Sequence, residues 1–349
     1  MPHTTEAAVL FETGKPLRCV NLQLPDLKPG QIIVDVAYSG VCHSQLNEVK
    51  GLRGPDPFLP HTLGHEGSGT VVEIGEGVTK VKPADRVVLT WLKGTGADVP
   101  STTYGLDGTI VNSGAIGTFM RRTVTCENRV VPVPMSMPLK EAALLGCAIP
   151  TGGGIILNTM KVSAGDTVAV FGVGGIGMSA VATAAMKGAR EIFAIDVSAG
   201  KLDRARTLGA TQVVNAAETD PLAAIAAATG GKGVDYAVEA AGRTEVMETA
   251  FKSVRDGGGL CVLAGNPKKG DLLSIDPFDL IRGKRVVGSW GGETIADHDI
   301  PLYAEWFMAG KLSLSPLITH EYALADINDA LRDLESGAVG RGLIDMARA

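Results

Sequence analysis

The run Gly172-Val173-Gly174-Gly175-Ile176-Gly177 stands between an apolar strand pattern, Thr167–Phe171, and an apolar helical pattern. Its glycine spacing suits a phosphate site. The first glycine permits a tight turn, the second lets the backbone approach a pyrophosphate, and the third lets helix and strand pack closely. The helix that opens near Ile176 directs unpaired N–H groups, and the positive end of its dipole, toward the phosphates. Asp196 follows a second strand pattern, EIFAI, 19 residues after Gly177. A carboxylate there accepts hydrogen bonds from the ribose hydroxyls of adenosine and repels a 2′-phosphate. The constellation therefore predicts a dinucleotide site that prefers NAD to NADP.

A second set of residues offers metal chemistry in its types but not in its spacing. Cys42 lies in GVCHS, His65 and Glu66 in LGHEG, and Cys147 in LGC. Two thiolates and one imidazole suit zinc, and three protein ligands leave a fourth position for water or substrate. Separations of 23 and 82 residues match no compact zinc finger. On residue types alone, the set is either a zinc site or a pair of buried thiols with a hydrogen-bonded imidazole.

The elements that must position these residues fall into three segments. Residues 1 to about 148 carry short alternating strand patterns and glycine-proline turns, which predict a compact, partly open barrel. Within it, Glu66 to Ile74, a turn at 75–77, and Val78 onward read as two strands and a turn, and another strand starts at Asp85. From Thr151 the pattern alternates strand and helix, with strands at 167–171, 191–195, 212–215, 234–239, 259–264 and 285–290. Helices are expected at Ile176 to Lys187 and Thr244 to Val254. Six strands with crossovers predict a doubly wound parallel sheet in an α/β fold. From about 294 two helices follow, and the stripe Leu324, Ile327, Leu331, Leu334 is expected to fold back onto the first segment.

A chain of 349 residues suggests two domains, and a net charge of -6 argues against a nucleic-acid or anionic-membrane partner. No apolar stretch is long enough to span a bilayer, and the start of the chain shows no secretory signal. Five dispersed cysteines do not form a disulfide framework. The expected compartment is the cytoplasm.

GVCHS at 40–44, GHEGSGTVVEIGEGV at 64–78, LLGCAIPTG at 144–152, VFGVGGIG at 170–177, Asp196 and LSPLITHEYALADINDAL at 314–331 together resemble the zinc-dependent alcohol dehydrogenases of the medium-chain dehydrogenase/reductase superfamily. The resemblance spans almost the whole chain. It implies a GroES-like catalytic domain at 1–148 and 294–349 around a Rossmann NAD-binding domain at 149–293. It implies that Cys42, His65 and Cys147 bind the catalytic zinc, with Glu66 beside the metal. It assigns Ser44 to the transfer of the alcohol proton, with Asn47 where the family's relay usually ends in histidine. It places His43 and Arg341 at the pyrophosphate and Lys201 near the adenosine ribose. Thr151, Ile176 and the loop Gly265-Asn266 fall near the nicotinamide. Trp91, Phe119 and Asn266 are expected to wall the substrate pocket.

Departures from the family matter as well. Residues 91–114 contain no cysteine, so the second, structural zinc of many relatives is not expected and one zinc per chain is. Gln45 replaces the aspartate that usually orients the zinc-bound histidine, and an amide is the weaker acceptor. His61 reads as an ordinary loop histidine. The resemblance implies hydride transfer between an alcohol, or its aldehyde or ketone, and NAD, and a homodimer or homotetramer. Other readings are a polyol or sugar dehydrogenase of the same superfamily, a zinc-free reductase, or a non-catalytic nucleotide-binding relative. The intact set Cys42, His65, Cys147 argues against the zinc-free reductase, and Cys147 favours an alcohol over a polyol enzyme.

Overall fold

The structure is a computed structural model that describes residues 4–337 and 339–348. It divides into two compact units. The first holds Met1–Cys147, Ile295–Met308 and Ile318–Ala349, and the second holds Ala148–Thr294 and Ala309–Leu317. The segment 309–317 thus falls with the second unit rather than with the rest of the tail. No single helix among the described residues is long and apolar enough to cross a membrane.

The first unit is built on two β-systems. A small closed barrel runs through strands Thr4–Leu10, Arg18–Gln23, Thr103–Leu106, Thr109–Asn112 and His61–Thr62. A larger sheet runs in the order Val130–Pro132, Arg86–Thr90, Glu66–Ile74, Gln31–Val41, Arg341–Asp345 and Ile318–Tyr322, with Arg122–Cys126 also paired to Gln31–Val41. The long strand Gln31–Val41 is the spine, because three strands pair with it. The helix Ile327–Glu335 puts Ile327, Leu331 and Leu334 into the same apolar core as Ile32, Val34 and Leu89. The expected return of the tail onto the first segment is therefore what its apolar stripe achieves.

One expected strand does not form. Beyond the turn at 75–77 the chain makes no ladder until Arg86. The amides of Thr79 and Lys80 instead donate to Glu127 Oε1 at 2.6 and 2.5 Å, and Lys82 and Asp85 close a turn. A side-chain acceptor has outcompeted the sheet for these donors.

The second unit is a six-stranded parallel sheet in the order Gln212–Asn215, Glu191–Asp196, Thr167–Phe171, Tyr236–Glu239, Leu260–Leu263, Arg285–Gly288. Helices Gly175–Met186 and Thr244–Ser253 are among its crossovers. The fourth and sixth strands are shorter than their apolar runs suggest. Val234 makes only an isolated bridge, and the chain turns at Trp290 to Glu293.

The stretch 91–114, where cysteines are missing, is ordered by carboxylates and a hairpin. Glu127 is buried, and its other oxygen accepts from Ala97 N at 3.0 Å. Asp297 accepts from the amide and hydroxyl of Thr95 at 2.5 and 2.6 Å and pairs with Lys80. Asp107 and Gly108 both adopt positive φ, 46° and 83°, and turn the hairpin between Thr103–Leu106 and Thr109–Asn112. Burial opposes ionisation of Glu127, but the amides of Ala97, Lys80 and Thr79 outweigh it and hold its carboxyl below the ordinary value. Asp297 is lowered too, against burial, chiefly by Lys80 and Thr95. Carboxyls whose folded values are depressed stabilise the fold above their unfolded pKa and lose that contribution as pH falls through the folded value.

Glu127→Ala is therefore expected to cost about 3 kcal/mol, since it strands several buried amides. It should open 91–102 to limited proteolysis at neutral pH, and the unmutated loop should open only at acid pH. Equal protease resistance of the variant and the unmutated protein at pH 7 would show that the loop does not depend on this carboxylate.

Candidate metal and dinucleotide sites

Three donors of the first unit reach one point from separate elements. Cys42 is the single residue between the spine strand and helix His43–Val49, with extended φ and ψ of -125° and 151°. His65 immediately precedes the strand Glu66–Ile74. Cys147 follows the 3-10 turn Ala143–Gly146. One donor atom from each of Cys42, His65, Glu66 and Cys147 lies within 4.8 Å of all the others. His65 Nε2 is 3.2 Å from Cys147 Sγ. A tetrahedral zinc with its usual bond lengths needs nitrogen–sulfur separations of about 3.5 Å, so the donor set fits that ion with small adjustments.

The charges of the pocket also favour a cation. Cys42 has a pKa well below the ordinary thiol value, because Cys147 donates a hydrogen bond to it and His65 lies beside it. Cys147 is raised well above that value for the converse reason, reinforced by burial. Burial raises the Glu66 carboxyl despite the neighbouring Arg341. Glu66 is fully buried, Arg341 hydrogen-bonds to its Oε1, and its Oε2 has no partner. Room for Glu66 comes from Gly40 and Gly146, where a Cβ would lie 2.6 and 2.8 Å from its side chain.

The imidazole of His65 is oriented from helix His43–Val49. Its Nδ1 lies 3.3 Å from Ser44 Oγ and in short contact with the Gln45 amide nitrogen. Gln45 is buried, and its carbonyl oxygen accepts from Cys42 N at 3.0 Å. Gln45 thus joins two of the donors. Its one carbonyl oxygen serves Cys42, however, where a carboxylate would offer acceptors to both residues.

Arg341 is buried, with one guanidinium nitrogen donating to Glu66 and its Nε without a partner. One expectation for this unit is corrected. Phe119 is expected to wall the substrate pocket; it is fully buried in the apolar core with Leu10, Ile32 and Leu63. Trp91 is half-buried just past the strand Arg86–Thr90, and Thr90 Oγ1 donates to Gly146 O at 2.7 Å. His43 is exposed, while Ser44 and Asn47 are half-buried one turn apart on the helix. His61 is no loop residue. It lies buried in the strand His61–Thr62, with Nε2 2.7 Å from Asp56 and Nδ1 3.0 Å from the Thr62 carbonyl.

In the second unit the glycine turn has the geometry its sequence suggests. Gly172 has φ of 86°, which a side chain would strain, and a Cβ there would strike Ala241 N at 2.7 Å. A Cβ on Gly177 would lie 2.0 Å from Gly172 O, so only glycine lets the helix close on the strand. A Cβ on Gly174 would meet nothing within 4 Å, which leaves open space at the helix N-terminus. Gly175 and Ile176 begin that helix. Asp196 accepts from Val173 N and Ser198 N, each at 3.0 Å, so it also steadies the turn. Lys201 lies on the next helix, Ala199–Thr207. Thr151 is buried with an unpartnered hydroxyl, and Gly265 and Asn266 occupy the loop after Leu260–Leu263. Glu239 went unnoticed in the sequence; its signal was a carboxylate closing a buried strand.

Comparison with known proteins agrees with this arrangement. Residues 28–135 match the family model of the alcohol dehydrogenase GroES-like domain, and 175–309 match that of the zinc-binding dehydrogenases. An S-(hydroxymethyl)glutathione dehydrogenase of Synechocystis sp. is 33% identical over 97% of this chain and 99% of its own length. The chain belongs to the zinc-dependent alcohol dehydrogenase family. An Escherichia coli S-(hydroxymethyl)glutathione dehydrogenase is 34% identical with the same coverage. Among solved structures, an alcohol dehydrogenase zinc-binding domain protein from Burkholderia ambifaria superposes with a TM-score of 0.91 at 29% identity, covering 98% of both chains. Benzyl alcohol dehydrogenase from Acinetobacter calcoaceticus gives 0.89 at 29% identity, over 98% of this chain and 99% of its own. As a family member, this zinc-dependent alcohol dehydrogenase transfers a hydride between an alcohol, or its aldehyde or ketone, and NAD(H).

Elemental analysis should find one zinc per chain. Cys147→Ala should lose that zinc while keeping its circular dichroism spectrum, because the donors lie beside a core that is already complete. Two tightly held zinc ions in the unmutated protein would contradict the single-site reading.

Proposed function

We propose that Cys42, His65 and Cys147 hold the single catalytic zinc, with Glu66 as a fourth group beside it, and that the chain oxidises a small alcohol with NAD at this site. The unpartnered Glu66 Oε2, buried among two thiols and an imidazole, is the observation that carries the reading. A cation among these donors would offset the cost of leaving that oxygen buried and unpaired. Zinc and NAD, when bound, supply a Lewis acid that polarises the alcohol oxygen and an acceptor for the hydride.

The chain's own residues do the rest. Gln45 and Ser44 hold the His65 ring. Ser44 takes the hydroxyl proton of the substrate. Asn47, three residues on, cannot titrate, so the proton leaves by solvent. Gly172, Gly174 and Gly177 give the pyrophosphate its approach to the helix N-terminus. Asp196 receives the ribose hydroxyls, and Lys201, Thr151, Ile176, Gly265 and Asn266 complete the cofactor's surroundings. Trp91 is the pocket wall that stays in place once Phe119 is assigned to the core.

We also propose that the protein is a homodimer or a dimer of such dimers, working in the cytoplasm, where its five cysteines stay out of disulfides. The strand Arg285–Gly288 ends the parallel sheet, pairing on one side only. On it and just past it, Val287 and Trp290 are 41% and 79% exposed. An unpaired edge with this much apolar surface suits a second copy of the chain. Light scattering at micromolar concentration should give a dimer or tetramer, and Val287→Lys should shift it toward monomer. A monomer in the unmutated protein would refute the assembly.

The functional test is reduction of NAD across a panel of alcohols that includes benzyl alcohol and S-(hydroxymethyl)glutathione. At least one alcohol should be oxidised, and kcat/KM should favour NAD over NADP by more than tenfold. A tenfold ratio corresponds to about 1.4 kcal/mol, which like-charge repulsion at Asp196 can supply. Asp196→Ala should narrow the ratio. Equal efficiency with both cofactors in the unmutated enzyme would remove Asp196 from this role.

A further inference from the structure

Glu239 closes the fourth strand of the parallel sheet, Tyr236–Glu239, and is completely buried. No cation is paired with it among the described residues. A carboxylate held in this way costs more than an apolar side chain of similar size would. What it receives in return is local. Its Oε1 accepts from the amides of Ala241 and Gly242 at 2.8 and 2.7 Å. Its backbone carbonyl accepts from Ala264 and Gly265 at 2.8 and 3.0 Å. Its Oε2 makes no hydrogen bond and faces Gly265, where a Cβ would lie 2.7 Å away.

Three loops meet around this one side chain, all at the carboxyl ends of the parallel strands. The loop 240–243 follows Glu239 itself, and the loop 264–266 follows the neighbouring strand. Gly242 takes φ of 75°, and a Cβ there would lie 2.8 Å from Asn266 O. A Cβ on Gly265 would lie 2.2 Å from Gly242 N. On the other side Ala241 N lies against Gly172, the first glycine of the phosphate turn. The carboxylate therefore draws 240–242 into a tight turn whose two faces touch the phosphate turn and the loop at Asn266. The carboxyl ends of the strands at the centre of such a sheet are where a dinucleotide lies.

We propose that Glu239 is a positioning residue of the dinucleotide cleft, fixing the loops 240–243 and 264–266 against the Gly172 turn so that their backbone is ready for the cofactor. The proposal rests on the reading that NAD binds at the glycine turn. Burial also raises the Glu239 carboxyl above its ordinary value, against the pull of the surrounding amides. An uncharged amide of the same length should therefore serve nearly as well.

The test compares Glu239→Ala, Glu239→Gln and Glu239→Asp with the unmutated protein. NADH binding is read by fluorescence titration, and amide hydrogen exchange is read without cofactor. Zinc content and circular dichroism serve as controls and should not change. Glu239→Ala should weaken NADH binding by about tenfold or more and speed exchange at Ala241 and Gly242, as expected for lost preorganisation. Its KM for NAD should rise much more than its kcat falls. Glu239→Gln should stay within about threefold in binding, because one amide oxygen can accept both N–H groups. Glu239→Asp keeps the charge but loses the reach, and should lie nearer to alanine.

NADH binding within about twofold by Glu239→Ala, with unchanged exchange, would overturn the proposal and leave the cofactor reading intact. Glutamine as damaging as alanine would overturn it as well, because charge rather than position would then be what matters. Should the alanine variant not fold, the aspartate variant decides by the same two readings. Failure of the unmutated protein to bind NADH at all would instead overturn the cofactor reading, and this proposal with it.

Discussion

The buried ion pair between Glu66 and Arg341 is the constraint around which the first unit is arranged. Removing a carboxylate and a guanidinium from water is expensive, and only close geometry recovers the loss. That geometry requires several concessions from the backbone. Gly40 and Gly146 must lack side chains to admit Glu66. The strand Arg341–Asp345 must pair with the spine, Gly342 opposite Val41, to deliver Arg341. Each metal donor follows from one of these requirements. Cys42 lies two residues after Gly40, His65 immediately before Glu66, and Cys147 immediately after Gly146. The donors converge because the ion pair beneath them holds their neighbours together.

Elsewhere the same chemistry, carboxylate against amide, recurs without a cation as the main partner. Glu127 gathers amides from Thr79, Lys80 and Ala97, and so ties the segment after the 75–77 turn to the loop that begins at Trp91. Here one buried glutamate, with Asp297 and the Asp107-Gly108 turn, orders it. Asp196 likewise accepts from the amides of Val173 and Ser198. These groups share a physical logic. An ionised acceptor can satisfy several N–H donors from irregular backbone that no ladder would reach.

What the sequence made legible was whatever depends on short range. The alternation of strand and helix from Thr167 onward is written in period and turn chemistry, and those strands form with small changes at their ends. The glycine turn and Asp196 were readable because each residue does its work within one crossover. The stripe from Leu324 to Leu334 was readable as a face, and its destination followed from its being too short to close a core alone. Longer-range matters were not readable. Arg341 bears the marks of a surface cation until Glu66, 275 residues away, is placed beside it. Phe119 could wall a pocket or fill a core, and nothing within its own segment decides which. The strand expected after Val78 was lost to an acceptor 48 residues further on. Asp107-Gly108, by contrast, is a strong short-range hairpin signal within the same stretch that lacks cysteines.

The separation of Glu66 from Arg341 also orders events in time. Cys42, His65, Glu66 and Cys147 leave the ribosome well before Arg341, with the entire parallel-sheet unit synthesised in between. During that interval the sheet lacks the strand that flanks its spine, and the carboxylate has no guanidinium to bury against. The metal pocket is thus the last part of its unit to acquire a finished floor, although its donors are among the first residues made.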